Sequence, residues 1–226
     1  MLRADDLVTI GVTARLAAVT TLVLLAAGTP LAWWLARTHW RGKVLVEAVV
    51  ALPLVLPPTV LGYYLLVCLG PHGALGATLE RFGGHHLAFS FAGLVIGSCL
   101  YSLPFAVQPM QAAFAAIGER TFEMAATVGA GPFDRFLTVA LPLARRGILT
   151  ACVLTFAHTV GEFGVVLMVG GNIPGSTRVL SMAIYDYAEA LDHGRAAALS
   201  GGLLIFSMAL LIVVYAVNRR FERIQV

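Results

Sequence analysis

The sequence predicts an all-α fold, a polytopic bundle of about five membrane-spanning helices that forms a single domain over residues 1–226. Composition is the first reason, because 59% of the 226 residues are apolar and only 12% are charged, about half the charge of an ordinary soluble domain. The second reason is the mean hydropathy of +0.86. The third is a set of long uncharged runs that lack the polar alternation of a barrel strand. Together these features exclude a soluble enzyme.

Five apolar runs are long enough to cross a bilayer, since a helix needs roughly 20 apolar residues to do so. In chain order they are residues 16–36, 48–69, 87–117, 147–171 and 196–218. The second run contains Pro53, Pro57 and Pro58, which remove backbone donors and bend a helix. The third run would be about 46 Å long as a helix, so it must tilt, bend at Pro104 or Pro109, or protrude.

The basic residues orient these runs. Ten of the fifteen Lys and Arg residues lie in the segments that follow the first, third and fifth runs. Basic residues accumulate on the cytoplasmic side of a membrane. They are Arg37, Arg41, Lys43, Arg120, Arg135, Arg145, Arg146, Arg219, Arg220 and Arg223. We therefore expect the N-terminus outside, the C-terminus inside, and a cytoplasmic loop over residues 118–146. This distribution follows the membrane and gives no patch for nucleic acid.

The longest outer loop covers residues 171–195. It opens with a turn at residues 172–175, and apolar residues then recur at helical spacing from Val179 to Leu191. We expect a short amphipathic helix on the outer face. It either covers the end of the bundle or forms a docking surface for another protein.

The cytoplasmic loop is predicted to form two short helices at an angle. Phe122, Ala125 and Gly129 share one small, nearly flat helical face. Gly131 is expected to end this helix and Pro132 to begin the next. Pro142 is expected to prevent a smooth continuation into the following span. The apolar stripe of the second helix is Phe133, Phe136, Leu137, Ala140 and Leu141.

This loop resembles the EAA motif of ABC importer permeases. Glu123 and Ala125 match its start, Gly129 follows six residues after the glutamate, and a leucine–proline pair follows at residues 141–142. Met124 and Val139 depart mildly from the motif. The resemblance implies a coupling helix that sits in a groove of a cytoplasmic ATPase and carries its closure into the membrane. The implied coupling residues are Glu123, Ala125, Ala126, Gly129, Phe133, Phe136, Leu141 and Pro142.

Three further stretches are similar to molybdate ABC transporter permeases: LPLVLPP at 52–58, HTVGEFG at 158–164 and NIPGSTR at 172–178. The resemblance implies a type I ABC importer permease of the inner membrane that translocates molybdate. Tungstate and sulfate or thiosulfate remain alternatives, since all are oxyanions and close relatives share the Gly-Glu-Phe-Gly stretch. The implied partners are a second copy of the chain, a cytoplasmic ABC ATPase dimer, and a periplasmic or lipid-anchored oxyanion-binding protein.

Glu162 is the one charge within the fourth run, and an ionisable group in a span indicates function. A carboxylate repels a dianion, so we expect Glu162 at a gate or subunit contact; the alternative is a structural hydrogen bond to His158. The candidate path or gate residues are Pro57, Pro58, Thr59, Gly161, Glu162, Phe163 and Gly164. The candidate residues for docking the binding protein are Asn172, Pro174, Gly175 and Arg178.

No catalytic, metal or cofactor site is expected. Lys43, the single lysine, lies in a Gly-Lys-Val sequence that is not a phosphate-binding loop, so ATP must be used by a partner chain. His85 and His86 lack further ligand residues nearby. An ion-coupled carrier would predict inverted repeats, which the sequence lacks, and an intramembrane enzyme would have only His158 and Glu162. The short segment after the last run leads us to expect no appended regulatory domain.

Overall fold

A computed structural model describes residues 4–222, and every regular element in that range is helical. The helices are α1 (Ala4–Arg37), α2 (Lys43–Ala51), α3 (Pro58–Leu69), α4 (Ala74–Arg81), α5 (Phe91–Ala115), α6 (Glu119–Thr127), α7 (Pro132–Arg135), α8 (Leu141–Gly161), α9 (Gly164–Gly170), α10 (Leu180–Glu189) and α11 (His193–Glu222). A 3₁₀ turn, Leu52–Leu54, follows α2, and a π turn, Phe136–Ala140, joins α7 to α8.

Within the described residues, five helical stretches are long and apolar enough to cross a membrane, which confirms the predicted all-α, multi-span class. They are Ala4–Arg37, Pro58–Arg81, Phe91–Ala115, Pro132–Gly161 and His193–Val213. The predicted number of spans is therefore matched, although the helices begin and end at different residues from the apolar runs. The sidedness of the termini stays a prediction from the charges.

The centre of the bundle is formed by α1, α5 and α8, which pack along one another. Their shared core includes Leu35, Val107 and Phe114, all fully buried. Small residues permit the close crossing, as is usual for helices in membranes. At Gly147 a Cβ atom would lie 2.3 Å from the Cβ of Ala113 and 2.8 Å from the Pro109 carbonyl oxygen. Helices α5 and α8 are therefore in backbone contact at this point.

Helix α1 begins twelve residues before the first predicted apolar run. The polar hydroxyls on the buried face of this first part are satisfied within the helix. Thr9 Oγ1 donates to the Asp5 carbonyl at 2.9 Å, and Thr13 Oγ1 donates to the Thr9 carbonyl at 2.8 Å. The helix has 34 residues, about 51 Å at the usual rise. It therefore extends beyond the hydrocarbon thickness unless it is tilted.

The prolines have different effects in the two runs that contain them. In the second run Pro57 takes an extended conformation with ψ of 134°, and α3 starts only at Pro58, because a residue that precedes proline is driven out of the helical region. In the third run α5 stays helical through Pro104 and Pro109. Its N-terminus is fixed at Ser90, whose hydroxyl accepts a hydrogen bond from the Gly93 N–H at 3.1 Å.

The predicted amphipathic helix of the outer loop is present as α10. Leu180, Met182 and Ala183 are buried. The Leu180 N–H donates to Thr13 Oγ1 at 2.8 Å, and the Tyr187 hydroxyl donates to Asp6 Oδ1 at 2.8 Å. Helix α10 is thus fixed along the first half of α1 by a hydrogen bond near each of its ends.

We predict that Gly147→Ala destabilises the protein, because the added methyl group meets a neighbouring Cβ and a backbone carbonyl that cannot move aside. Overpacking of this kind costs about 1–3 kcal/mol. The matched control is Gly201→Ala in α11, where a Cβ meets nothing within 4 Å. Thermal unfolding in detergent should show a lower Tm for the first variant and an equal or higher Tm for the second. Equal Tm values for the two variants would contradict the close crossing of α5 and α8.

Candidate functional site

Two interruptions of the helices face each other inside the bundle. One precedes α3 at Pro57, and the other separates α8 from α9 at residues 162–163. A Cβ atom on Gly164 would lie 2.8 Å from the Cβ of Pro58 and 3.5 Å from the Thr59 nitrogen. The N-terminal ends of α3 and α9 therefore touch, and only glycine at position 164 leaves room for this contact.

The backbone at the second interruption retains hydrogen bonds. The Glu162 N–H donates to the Thr159 carbonyl at 3.3 Å, and Ser181 Oγ donates to the Glu162 carbonyl at 2.5 Å. Non-helical backbone within a membrane is stable only where such partners or a water-filled cavity satisfy it. Ser181, on α10, therefore supports the interruption from the neighbouring element.

A cavity of about 500 Å³ lies at the meeting point. Its lining residues are Pro58, Thr59, Tyr101, Ala157, His158, Gly161, Glu162, Phe163 and Gly164. The structure thus brings together six of the seven predicted path or gate residues from two separate parts of the sequence; Pro57 is adjacent but does not line the cavity. Tyr101 comes from α5, and no local sequence pattern distinguishes it from the other apolar positions of that helix.

Glu162 is 3% exposed, and both of its carboxylate oxygens lack a hydrogen-bond partner among the described residues. The Ser98 hydroxyl is near enough to interact with the carboxylate, yet it too forms no hydrogen bond. The structural hydrogen bond to His158, the alternative expected from sequence, is absent. An unpaired buried carboxylate costs several kcal/mol, so it is typical of a position kept for function.

His158 is held by a chain of hydrogen bonds. Its Nδ1 lies 2.9 Å from Ser102 Oγ, which lies 3.1 Å from Thr159 Oγ1, and Thr159 Oγ1 donates to the Thr155 carbonyl at 2.9 Å. Because the Thr159 proton is already used, Ser102 donates to Thr159 and accepts from His158 Nδ1–H. The chain therefore fixes the tautomer and leaves Nε2 as the free ring nitrogen.

Aromatic rings hold the imidazole in place. The Phe105 ring stacks on it with 4.0 Å between centroids, and the Tyr101 ring lies 4.8 Å away. Ser102 and Thr159 thus position His158. They are buried and reach the cavity only through that ring.

The first helix of the cytoplasmic loop ends differently from the prediction. Helix α6 is closed by Gly129, not by Gly131: Gly129 has φ of +89°, its N–H donates to the Ala126 carbonyl at 3.0 Å, and the Ala130 N–H donates to the Ala125 carbonyl at 3.1 Å. These two bonds are the pair of a Schellman cap, which favours glycine at the left-handed position. Gly131 precedes α7, which begins at Pro132 as predicted.

The expected interruption at Pro142 is also wrong. Helix α7, the π turn and α8 run on as one helical stretch from Pro132 to Gly161. In the π turn the Leu141 N–H donates to the Phe136 carbonyl, five residues back. This wider turn accommodates the missing donor and the ring of Pro142, as π turns do within helices.

The apolar residues of the loop divide between two faces. Phe122 is buried, with its ring 5.4 Å from Trp33. On the other face Met124, Val128 and Phe133 are 64%, 83% and 74% exposed, and we call these three residues the loop patch. Of the implied coupling residues, Glu123, Ala126, Gly129, Phe133 and Pro142 are exposed, whereas Ala125, Phe136 and Leu141 are half-buried. Met124 and Val128, four residues apart, were not singled out from the sequence.

The outer turn is closed by side chains. Asn172 Nδ2 donates to both carboxylate oxygens of Asp186, at 3.1 and 2.9 Å, and Arg178 forms an ion pair with Asp186 at 2.8 Å. Asn172 and Arg178 therefore bind the turn to α10. Pro174 and Gly175 are exposed at its tip, where they remain accessible to a partner.

A bundle of membrane-crossing helices with a cavity at two broken helices and a protruding amphipathic loop is the architecture of a membrane-embedded transport subunit. The structure superposes on the crystal structure of a bacterial ABC transporter involved in the import of the acidic polysaccharide alginate, with a TM-score of 0.75 and 19% identity over 99% of this chain and 81% of that chain.

Residues 28–223 match the model of the family "Binding-protein-dependent transport system inner membrane component", and the chain belongs to this family. It is 57% identical to the molybdenum transport system permease protein ModB of Azotobacter vinelandii over 98% of this chain and 97% of that protein. It is 36% identical to ModB of Escherichia coli K12 over 93% of this chain and 90% of that protein. It is thus a multi-pass inner-membrane transport component.

We predict that Glu162→Gln leaves Tm unchanged or raises it while it impairs transport, because the variant replaces a buried ionisable group that has no hydrogen-bond partner among the described residues and removes its ability to ionise. The matched control is Glu47→Gln: Glu47 accepts a hydrogen bond from Gln111 at 2.6 Å and lies 3.6 Å from Lys43. Its neutralisation should lower Tm, by about 2–4 °C for each kcal/mol lost. A clear loss of Tm in Glu162→Gln would show that the carboxylate is structural.

We predict that Gly129→Ala weakens coupling to ATP hydrolysis, because the residue needs a positive φ that costs a side chain about 1–2 kcal/mol. Gly131→Ala is the control, since Gly131 has φ of −68° and both positions have open space for a Cβ. Gly129→Asn should be milder than Gly129→Ala, as asparagine tolerates this conformation. Substrate-stimulated ATPase activity of the assembled complex measures the effect, and equal activity of Gly129→Ala and Gly131→Ala would contradict it.

Proposed function

We propose that the chain is the permease subunit of an ATP-driven importer that carries molybdate into the cytoplasm, with ATP hydrolysed by a separate partner. The observation that carries this proposal is the 57% identity to a molybdenum transport permease over nearly the full length of both chains. The cavity supports it, because six of its nine lining residues come from the two stretches, 52–58 and 158–164, that resemble molybdate permeases.

The cavity suits brief contact with a tetrahedral dianion. None of its lining residues is Lys or Arg, so no fixed cation would retain the anion during transit. Thr59 and Tyr101 offer hydroxyl donors, and the adjacent starts of α3 and α9 present backbone N–H groups. Tight binding is then the task of a separate binding protein, in keeping with the family description.

Glu162 serves as an electrostatic gate in this proposal. In its ionised form the unpaired carboxylate in a low-dielectric wall repels a dianion, so passage requires a state in which Glu162 is protonated, moved away or compensated in charge. The adjoining glycines at 161 and 164 permit a change at this interruption, because neither carries a side chain. We place the gate on the two-fold axis of a homodimer, where two copies enclose the path that one bundle leaves open.

Coupling proceeds through one continuous helical stretch. The loop patch at its cytoplasmic end would dock in a groove of the ATPase, and residues 132–161 connect this end directly to the cavity at Gly161. Closure of two ATPase subunits would bring the loops of two permease copies together and open the path outward. The exposed tip at residues 173–176 is available to receive the binding protein on the other side.

Uptake of labelled molybdate into vesicles tests the proposal directly. The vesicles contain this chain, its ATPase and its binding protein, and excess unlabelled sulfate or tungstate is added as competitor. We expect uptake that requires ATP and persists in excess sulfate. Preference for sulfate would assign the chain to the sulfate branch, and uptake without ATP would overturn the ATP-driven mechanism in favour of an ion-coupled carrier.

A further inference from the structure

A second pocket lies between the end of α1 and the cytoplasmic loop, far along the chain from the residues of the first cavity. It has a volume of about 220 Å³ and is lined by Trp33, Arg37, Phe122, Pro132 and Arg135. Two guanidinium groups and two aromatic rings thus surround one small space. Nothing in the transport mechanism above uses it.

Arg37 is held rigidly in this pocket. Its guanidinium lies 3.9 Å from the Phe122 ring centroid and 5.1 Å from that of Trp33, and its Nη2 donates to the Ile117 carbonyl at 3.1 Å. The Nε atom is buried without a hydrogen-bond partner in residues 4–222. The group is therefore preorganised but keeps unused donor capacity.

Arg135 approaches from α7. Its Nε is likewise buried and without a partner among the described residues. Neither arginine forms an ion pair within 4 Å of a carboxylate in that part of the chain, although the Glu119 carboxylate at the start of α6 interacts with Arg37 at longer range. Two like charges that line one pocket repel each other, so an anion between them would relieve the repulsion and accept hydrogen bonds from their terminal guanidinium nitrogens.

We propose that this pocket binds one tetrahedral oxyanion group of the phosphate type. Planar guanidinium forks match such a group and bind it bidentately, and the aromatic walls exclude water and strengthen the contact. A carboxylate of the ATPase fits the pocket less well as an occupant. Met124 and Val128 of the loop patch, which would face the ATPase, lie on the opposite side of the loop helix α6 from Phe122. The inference does not depend on which oxyanion is transported.

Two sources would supply an oxyanion group of this chemistry. One is the headgroup phosphate of an anionic lipid, since basic pockets at the cytoplasmic ends of spans bind such headgroups and the nearby Trp34 and Trp40 are exposed like an interfacial belt. The other is a free oxyanion in the cytoplasm. In both cases the bound anion joins α1 to the loop and would restrict the movement that coupling requires.

Binding to the purified full-length chain in nanodiscs tests the proposal. In phosphatidylcholine nanodiscs, inorganic phosphate, sulfate and molybdate are titrated by calorimetry; in nanodiscs that contain phosphatidylglycerol, retained lipid is counted by native mass spectrometry. The variant is Arg135→Gln, and the matched control is Arg120→Gln, an exposed arginine of the same loop outside the pocket. Arg135→Lys retains the charge, and Tm of every variant reports folding.

We expect anion affinity or lipid retention to fall at least about tenfold in Arg135→Gln, the loss of one charge-assisted contact, to fall less in Arg135→Lys, and to be unchanged in Arg120→Gln. Retention of phosphatidylglycerol alone identifies the lipid source, and binding in phosphatidylcholine identifies the free anion. Absence of both, or an equal loss in Arg120→Gln, overturns the proposal.

Discussion

The contact between Gly164 and Pro58 is the constraint on which the rest of this structure depends. Two helices begin side by side there, and a single methyl group at position 164 would separate them. Because backbone groups in a membrane must be paired or face a cavity, the contact requires both the Ser181 hydrogen bond to Glu162 and the space that surrounds the carboxylate. The cavity is thus a consequence of how two broken helices are packed.

One continuous helical stretch connects the cavity to the opposite end of the molecule. The stretch from Pro132 to Gly161 is helical throughout, so one of its ends carries Phe133 of the loop patch and its other end reaches the cavity. It crosses α5 at Gly147 with backbone contact, which limits how it can tilt. In the proposed mechanism a displacement of α7 would be transmitted to Glu162 about this crossing, because the helical stretch between them is unbroken.

Much of this organisation is predictable from sequence. The apolar runs predict the number of membrane-crossing helices, the periodicity after the outer turn predicts α10, and the two motif stretches predict the residues that line the cavity. These features depend on local composition and spacing, which the sequence displays directly, whereas Tyr101 joins the cavity lining from α5 without such a pattern. The resemblance to ABC importer permeases also points to the family to which the chain belongs.

Other features depend on backbone geometry or distant contacts. Gly129 and Gly131 both read as helix breakers, and only the positive φ of Gly129 distinguishes them. The π turn before Pro142 shows that a proline need not end a helix when the hydrogen bonding widens ahead of it. The positioning of His158 by Ser102 joins residues 56 apart in the chain, which no local pattern reveals.

Accessibility of the cavity during the ATP cycle tests the central claim most directly. Thr59→Cys is introduced in a chain whose free cysteines Cys68, Cys99 and Cys152 are replaced, and the assembled complex is treated from outside with an impermeant maleimide. Modification should become several-fold faster when a non-hydrolysable ATP analogue closes the ATPase, whereas His85→Cys in the exposed loop between α4 and α5 should react equally in both states. An unchanged rate at Thr59→Cys would contradict a cavity that opens in response to the coupling loop.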